Sequence, residues 1–327
     1  MIWTDCRYFI AAPLALQQTP TFPVFAPHSP YARSIASLSN GVLWIALGIL
    51  LLVIGLVSYA SRKFRERPGD PPPKPVYGNV KLEVGYTTAF IVILVVISVF
   101  SIRAMRASDP PTGERDNLLI VAHRWWWEVR YPKTGAVTAN EIHIPVNQAE
   151  QVGFQSADVI HDFWVPELGR KMDIIPGVEN RTWLSADSVG NYEGRCAEYC
   201  GQEHAWMRIR VIVQTADDFS KWEQAQLAVP ATPASGEAGE GAQDFQQLSC
   251  ASCHTIRGTP ADAKIGPDLT HVASRETIAA GRLENTPATL ARWLLEPDLV
   301  KPGCMMPNLH LPRQQRYALL AYLETLQ

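Results

Sequence analysis

The run Cys196-Ala197-Glu198-Tyr199-Cys200-Gly201-Gln202-Glu203-His204-Ala205-Trp206-Met207 sets two thiols four residues apart, an imidazole four further on and a thioether three beyond that. His161, in Asp158-Val159-Ile160-His161-Asp162-Phe163-Trp164-Val165-Pro166, adds a second imidazole to the set. Thiolate and thioether ligands favour copper over the harder cations, and a single zinc would not call for methionine. A mononuclear blue-copper centre needs one cysteine, two histidines and a weak methionine. A second cysteine in the same loop lets both sulfurs bridge two metals, which spreads one electron over two coppers and keeps the geometry change on redox small. A Cys196–Cys200 disulfide is the plain alternative in an oxidising compartment, but it leaves the histidine and methionine spacing unexplained.

A second constellation, Cys250-Ala251-Ser252-Cys253-His254, has the C-x-x-C-H form that attaches haem c covalently. The thiols form thioethers to the porphyrin vinyl groups and the adjacent imidazole is held under the iron. A redox C-x-x-C or half a zinc site is the plainer reading, but no second cysteine pair follows at zinc spacing and no βαβ pattern surrounds the motif. A low-spin electron carrier needs a sixth ligand, commonly methionine. Met305 and Met306, within Lys301-Pro302-Gly303-Cys304-Met305-Met306-Pro307, are the candidates. His271 and His310 are ligands by type, with surface or supporting roles as the simpler reading. Cys304 reads as a buried inert thiol. Cys6 has no obvious partner either, and its surroundings do not resemble a lipid-attachment site.

The elements that position these residues emerge once the composition is taken apart. The 327 residues are 47% hydrophobic and 19% charged with net charge −3, which excludes a disordered, collagen-like or polybasic nucleic-acid-binding chain; a polytopic transporter would be far more apolar. No charged side chain lies between Arg33 and Arg62, and none between Glu83 and Arg103. Each gap is long enough to span ~30 Å of hydrocarbon as a helix, so a transmembrane hairpin is expected over 37–104, with helices at about 40–61 and 84–103, after an N-terminal segment 1–36. The connecting loop 62–83 carries +3, whereas 107–240 carries −9 and 241–327 is neutral. The positive-inside tendency places the loop in the cytoplasm and both termini outside. Tyr8–Leu16 is a short apolar run without the basic start or small-residue cleavage site of a signal sequence, so cleavage is not expected. Short β-rich runs at 118–122, 140–146, 158–165, 181–186 and 207–213 predict a β-sandwich or small barrel, the domain running over 105–226. Three consecutive tryptophans, Trp125-Trp126-Trp127, read as strand, and alternation then leaves one face exposed as an interaction surface. Thr215 with Asp218 caps a helix. An Ala/Pro/Gly/Ser stretch, 227–240, reads as a linker. Beyond it, over 241–327, Thr286-Pro287 and the spacings of Leu290, Trp293 and Leu294 and of Leu319, Tyr322, Leu323 and Leu326 predict an all-α domain.

With those residues in view, Cys196–Met207 resembles the dinuclear CuA signature of cytochrome c oxidase subunit II, C-x-E-x-C-G-x-x-H-x-x-M, and the likeness extends over nearly the whole chain from about residue 40. The C-terminal motif and its K-P-G-x-x-M-P loop resemble class I cytochromes c, as does Gly266-Pro267-Asp268-Leu269. The resemblance implies a multidomain membrane protein with a two-helix transmembrane hairpin, an all-β cupredoxin-like CuA domain and an all-α class I cytochrome c domain, the arrangement of caa-type oxidases. It implies that Cys196 and Cys200 bridge both coppers, that His161 and Met207 complete one and that His204 and the Glu198 carbonyl complete the other. The Glu198 carboxylate would reach a magnesium or manganese ion shared with subunit I. Cys250, Cys253, His254 and Met306 would hold the haem. Trp125 matches the tryptophan at which electrons enter, with Arg124 where the family has Gln. Glu83 matches a residue at the mouth of a proton channel of subunit I, although Tyr86 and Phe90 replace the usual Trp and Pro. Asn140–Pro145 and Lys171–Gly177 are family-like stretches expected to be structural. The implied function is to carry electrons from cytochrome c, through the tethered haem c and CuA, to the haem–copper subunit that reduces O2 to water, as part of a proton-translocating enzyme in the bacterial inner membrane with its large domains on the periplasmic side. Subunits I and III, an upstream cytochrome c or bc-type complex and membrane lipid are the expected partners, and nucleic acid is not. The rival readings are a CuA-bearing subunit of an N-oxide reductase and a stand-alone membrane-anchored redox carrier.

Overall fold

The computed structural model describes residues 23–72, 74–107, 109 and 116–327; Cys6 and the run Tyr8–Leu16 lie outside the described residues. Helix α1 spans Pro30–Lys63 and α2 spans Val80–Ala107. At 1.5 Å per residue α1 is about 51 Å long, well beyond the ~30 Å of a hydrocarbon core. Its start falls well before residue 40 because Ser29 caps it, accepting from Ala32 N at 3.0 Å, with Pro30 preset in the first turn. A hydropathy pattern sees the apolar centre and misses this polar first part. That part stands on the β-rich domain: Ser29 Oγ donates to Leu168 O at 2.6 Å, and Arg33 pairs with Asp187. Asp109, just past α2, accepts from Arg170 at 2.6 Å, so both outer ends of the hairpin abut the same domain. The two helices are long and apolar enough to cross a membrane and their apolar side chains have almost no cover within the chain.

Ten strands follow: β1 Leu118–His123, β2 Trp126–Tyr131, β3 Ala136–Ala139, β4 Glu141–Pro145, β5 Glu150–Ser156, β6 His161–Trp164, β7 Met172–Ile174, β8 Asn180–Leu184, β9 Gly190–Cys196 and β10 Arg208–Gln214. They form two five-stranded sheets, ordered β3-β2-β1-β5-β8 and β4-β10-β9-β6-β7. Pairing is antiparallel except for β1 with β5 and β4 with β10. Between the sheets Trp127, Ile120, Phe154, Ile142, Ile144 and Met207 are almost wholly buried. Helix α3, Ala216–Leu227, is capped by Thr215 and lays Phe219 and Trp222 over Tyr131 and His143.

The last domain holds α4 Gly236–Gln247, a small hairpin of β11 Thr277–Ile278 and β12 Leu283–Glu284, α5 Pro287–Leu295, α6 Pro297–Val300 and α7 Arg313–Glu324. The hairpin is a small departure from an all-helical expectation. Helix α4 begins inside the stretch read as linker, which leaves only 228–235 extended. The Gly/Ala-rich composition argues against a helix, but packing overrides it. At Gly241 the helix meets α7 so closely that a Cβ would lie 1.9 Å from Ala318 O, and Phe245 packs on Tyr322 beside it.

Candidate copper and haem sites

Strand register builds the thiol cluster. β6 opens on His161, β9 ends on Cys196, and Phe163 of β6 pairs with Cys196. The loop then returns through a 3₁₀ turn, His204–Trp206, and closes where Cys196 N donates to Met207 O at 3.0 Å. The two Sγ atoms are 3.7 Å apart and free, so they are not a disulfide. His161 Nδ1 lies 3.8 Å from Cys196 Sγ, His204 Nδ1 3.6 Å and Met207 Sδ 3.8 Å from Cys200 Sγ, and Glu198 O 3.1 Å from Cys196 Sγ. The donor atoms of His161, Cys196 and Cys200 all fall within 4.8 Å of one another. Hydrogen bonding from the Cys200 thiol, then from His161, holds Cys196 well below the ordinary thiol range; the same contact and burial push Cys200 up. His161 Nε2 sits 2.8 Å from Asp158 Oδ1, which leaves Nδ1 as the bare nitrogen facing the sulfurs. Next to it, Asp162 is pushed up to about 7 by burial and by Asp173, its register partner on β7.

The C-x-x-C-H motif opens on a cavity of about 390 Å³ lined by Cys250, Cys253, His254, Met306, Arg275 and Trp125. His254 Nδ1 donates to Pro267 O at 2.8 Å and burial pushes the imidazole below its usual pKa, so Nε2 presents a lone pair. Gly266 leaves room for that ring: a Cβ there would lie 2.5 Å from His254 Cε1. Met306 is half-buried at the cavity, whereas Met305 is 61% exposed. His271 is engaged elsewhere, by Gln327 O and Arg257, and His310 is exposed.

Trp125 lies between the two sites. It is in the turn between β1 and β2 and not in a strand, because Arg124 N is drawn to Asp158 Oδ2 at 2.7 Å. Its Nε1 donates to Cys200 O at 3.0 Å, and Gly201, at φ +119°, lets the indole approach: a Cβ would lie 2.9 Å from Trp125 Cζ2. Trp126 and Trp127 are both buried, contrary to simple alternation, since Ala280 of the last domain covers Trp126.

Family models match along the chain: the transmembrane domain of cytochrome c oxidase subunit II over 19–104, its periplasmic domain over 136–216 and cytochrome c over 238–327. Cytochrome c oxidase subunit 2 of Alkalihalophilus pseudofirmus is 34% identical over 314 residues, covering 92% of this chain and 90% of the relative. The chain belongs to the cytochrome c oxidase subunit II family. The homologous subunit of Bacillus sp. strain PS3 is 31% identical, covering 81% of this chain and 80% of its own length. A crystal structure of the periplasmic domain of subunit II from Bradyrhizobium japonicum is 32% identical, with TM-score 0.33, over 35% of this chain and 96% of that one.

A subunit II of this form carries copper in its β domain and haem c in its helical domain, and the residues present fit both. The soft donors are almost fully buried, which suits copper and excludes competing water. At the haem cavity Arg275 is 9% exposed; its Nη2 donates to Asp268 O, while its Nε has no hydrogen-bond partner among the described residues, a donor free for an anionic group. Glu198 has an exposed side chain, and Glu83 lies in the first turn of α2, exposed, with Oε1 3.3 Å from Asn79 N. Sequence reasoning missed Asp158, whose signal was its place three residues before His161. It also missed three residues between the domains. Glu141, in the stretch expected to be structural, accepts from Thr277 N at 2.7 Å, and Glu203 and Lys301 form an ion pair.

Proposed function

We propose that this chain takes electrons into a respiratory terminal oxidase of the caa type, from haem c in its own helical domain, through a dinuclear CuA centre, to a haem–copper subunit I that reduces O2 to water. Trp125 carries this reading: one side chain lines the haem cavity and hydrogen-bonds the carbonyl of Cys200 in the thiol cluster. When bound, the two cofactors supply reversible one-electron chemistry. The chain's own residues place and tune them.

Cys250 and Cys253 would hold the haem covalently, and His254 and Met306 would supply the protein ligands to its iron. Pro267 O fixes the His254 tautomer, and Arg275 offers its buried charge to the haem carboxylates. Cys196, Cys200, His161, His204, Met207 and the Glu198 carbonyl would hold the copper, which would supply one-electron redox chemistry there. Asp158 orients His161, and strands on either side hold the sulfurs in place, which keeps reorganisation small. The exposed Glu198 carboxylate would hold a magnesium or manganese ion shared with subunit I, and Glu83 would stand at that subunit's proton channel. The +3 loop faces the cytoplasm of a bacterial inner membrane and both large domains face the periplasm, an orientation supported by the hairpin ends meeting the β domain. Subunits I and III cover the hairpin, and an upstream cytochrome c or bc-type complex reduces the haem domain.

The test is metal analysis with optical and EPR spectra of the purified complex, followed by O2 uptake with reduced cytochrome c. Two coppers and one haem c per chain, with O2 consumed, are expected. One copper per chain, zinc in place of copper, or turnover of N-oxides without O2 uptake overturns the proposal.

A further inference from the structure

Two loops that bear metal ligands meet face to face across the domain boundary. One is the 196–207 loop of the β domain and the other is Lys301–Pro307 of the helical domain. Lys301 Nζ lies 3.2 Å from Glu203 Oε2 and donates to Trp125 O at 2.8 Å. The Lys301 and Glu203 side chains are 6% and 0% exposed. Neither Glu203 carboxylate oxygen has a well-aligned hydrogen-bond donor among the described residues; the Lys301 ammonium is the cation paired with it, with Arg282 as a further favourable charge. Two residues on, Gly303 takes φ +88°, where the backbone closes on the Gln202 amide; a Cβ would fall 2.4 Å from Gln202 Cδ. Other contacts between the domains are Glu141 with Thr277, Arg210 and Asn191 with Glu276, Arg208 N with Ala280 O and the Arg282 guanidinium over the Trp206 ring; of the ion pairs among them, Arg210–Glu276 has a glutamate side chain that is 44% exposed.

We propose that Lys301 and Glu203 form a buried interdomain latch that seats the methionine loop on the copper loop at Trp125, and that both are positioning residues for electron transfer between the two centres. The proposal rests on the electron-uptake reading above. Three features of the pair support it. It sits between the two sites instead of at the rim. Its lysine binds the backbone of the residue that touches both sites. And a buried pair is little screened by salt, so it holds the domains in a way that surface steering does not. Breaking one member leaves a buried charge uncompensated. Removing both leaves none, so the double replacement is far milder than either single one. The rate between centres then follows the fraction of molecules docked.

The test uses the purified, cofactor-loaded complex carrying Lys301→Met, Glu203→Gln or both. Copper EPR and the haem spectrum are recorded first. Amide hydrogen exchange of 196–207 and 301–307 and flash-triggered electron transfer from haem c to copper follow. Each single replacement is expected to raise exchange in both loops and slow transfer about tenfold or more, while the double replacement recovers most of the loss. In the unaltered complex the transfer rate stays constant between low and high salt. Unchanged exchange and rate in the single replacements overturns the latch. So does a double replacement as impaired as the two losses combined, including the case in which a single one loses copper. A transfer rate that falls steeply with salt also overturns it. Absence of copper or haem c from the unaltered complex defeats the electron-uptake reading instead, and metal content alone reveals that.

Discussion

The two sites of this chain are built on opposite principles. Around the thiols the donors are gathered and covered by the strands themselves: Cys196, Cys200, His161 and Met207 are buried, and the ligand loop is closed by the Cys196–Met207 backbone hydrogen bond. Around the C-x-x-C-H motif the protein encloses a cavity of about 390 Å³, and the residues facing it come from 3₁₀ turns, short helices and the irregular Lys301–Pro307 loop. Copper ions need donor atoms at set distances, which a rigid sheet supplies. A porphyrin is large enough to be the core of its own domain, so the surrounding chain need only line it.

The largest effect separating the two designs comes from emptying the haem cavity. Leaving a cavity of about 390 Å³ unfilled exposes its apolar lining to water, a loss that is large beside the marginal stability of a small domain. The replacement Cys250→Ala with Cys253→Ala is therefore expected to unfold 241–327, seen as rapid proteolysis there, while the copper EPR signal persists. A haem-free domain that resists protease would erase the contrast. The converse change is Cys196→Ser. It is expected to abolish the dinuclear copper signal but leave the haem spectrum and the melting of the β core within about 1 kcal/mol of the unaltered chain. A collapsed β domain would show that this site, too, depends on its metal.

What could be read from the residues follows the same division. Cys196, Cys200, His204 and Met207 share one loop, so their spacing alone announces a soft-ligand cluster, and the uncharged gaps announce the hairpin because hydrocarbon tolerates little else. The contacts between domains are hidden for the opposite reason. Lys301 and Glu203 are far apart in the chain and each looks like an ordinary surface charge. Alternation leaves one face of the Trp125–Trp127 run exposed, but Trp126 and Trp127 are both buried because Ala280, from another domain, covers Trp126. Trp125 falls outside the strand because Asp158 binds Arg124 N, a long-range contact with no local signature. The first residues of α4, 236–240, read as linker because the stretch is rich in Gly and Ala without periodic apolar residues, and the packing that makes it helical, with Gly241 letting α4 approach α7, is long-range.

The rigidity claimed for the β framework has a pH signature at His143. Its ring stacks on Trp222 with centroids 3.9 Å apart, and burial pushes its pKa from 6.5 to about 4. The unfolded chain therefore binds a proton that the folded domain refuses between those values, so stability rises with pH from about 4 to 6.5 and is level above. The whole contribution is about 3 kcal/mol. Asp162, raised to about 7, acts in the opposite sense over an overlapping window, so the measurement is a difference: denaturant unfolding of the chain and of His143→Phe from pH 4.5 to 7. The slope should be shallower in the variant. Equal slopes would mean that the His143 region opens to water and that the framework is looser than drawn.

The finest test concerns a single hydrogen bond. Asp158 both holds the Trp125 turn, through Arg124 N, and orients His161 through Nε2. Asp158→Asn keeps the size and one oxygen but removes the negative charge that favours an Nε2–H on the imidazole. If the copper site is held by its framework, copper affinity falls only about tenfold to a hundredfold, the usual effect of losing such a supporting group, and the EPR line shape is retained. If instead the copper loop depends on its partners as the haem loops do, the same change costs the signal altogether. The amide's reduced hold on Arg124 N should at the same time show as faster exchange in 124–125, with the strands on either side unchanged. That pattern would place the flexibility of the copper side in one turn, the one that faces the haem.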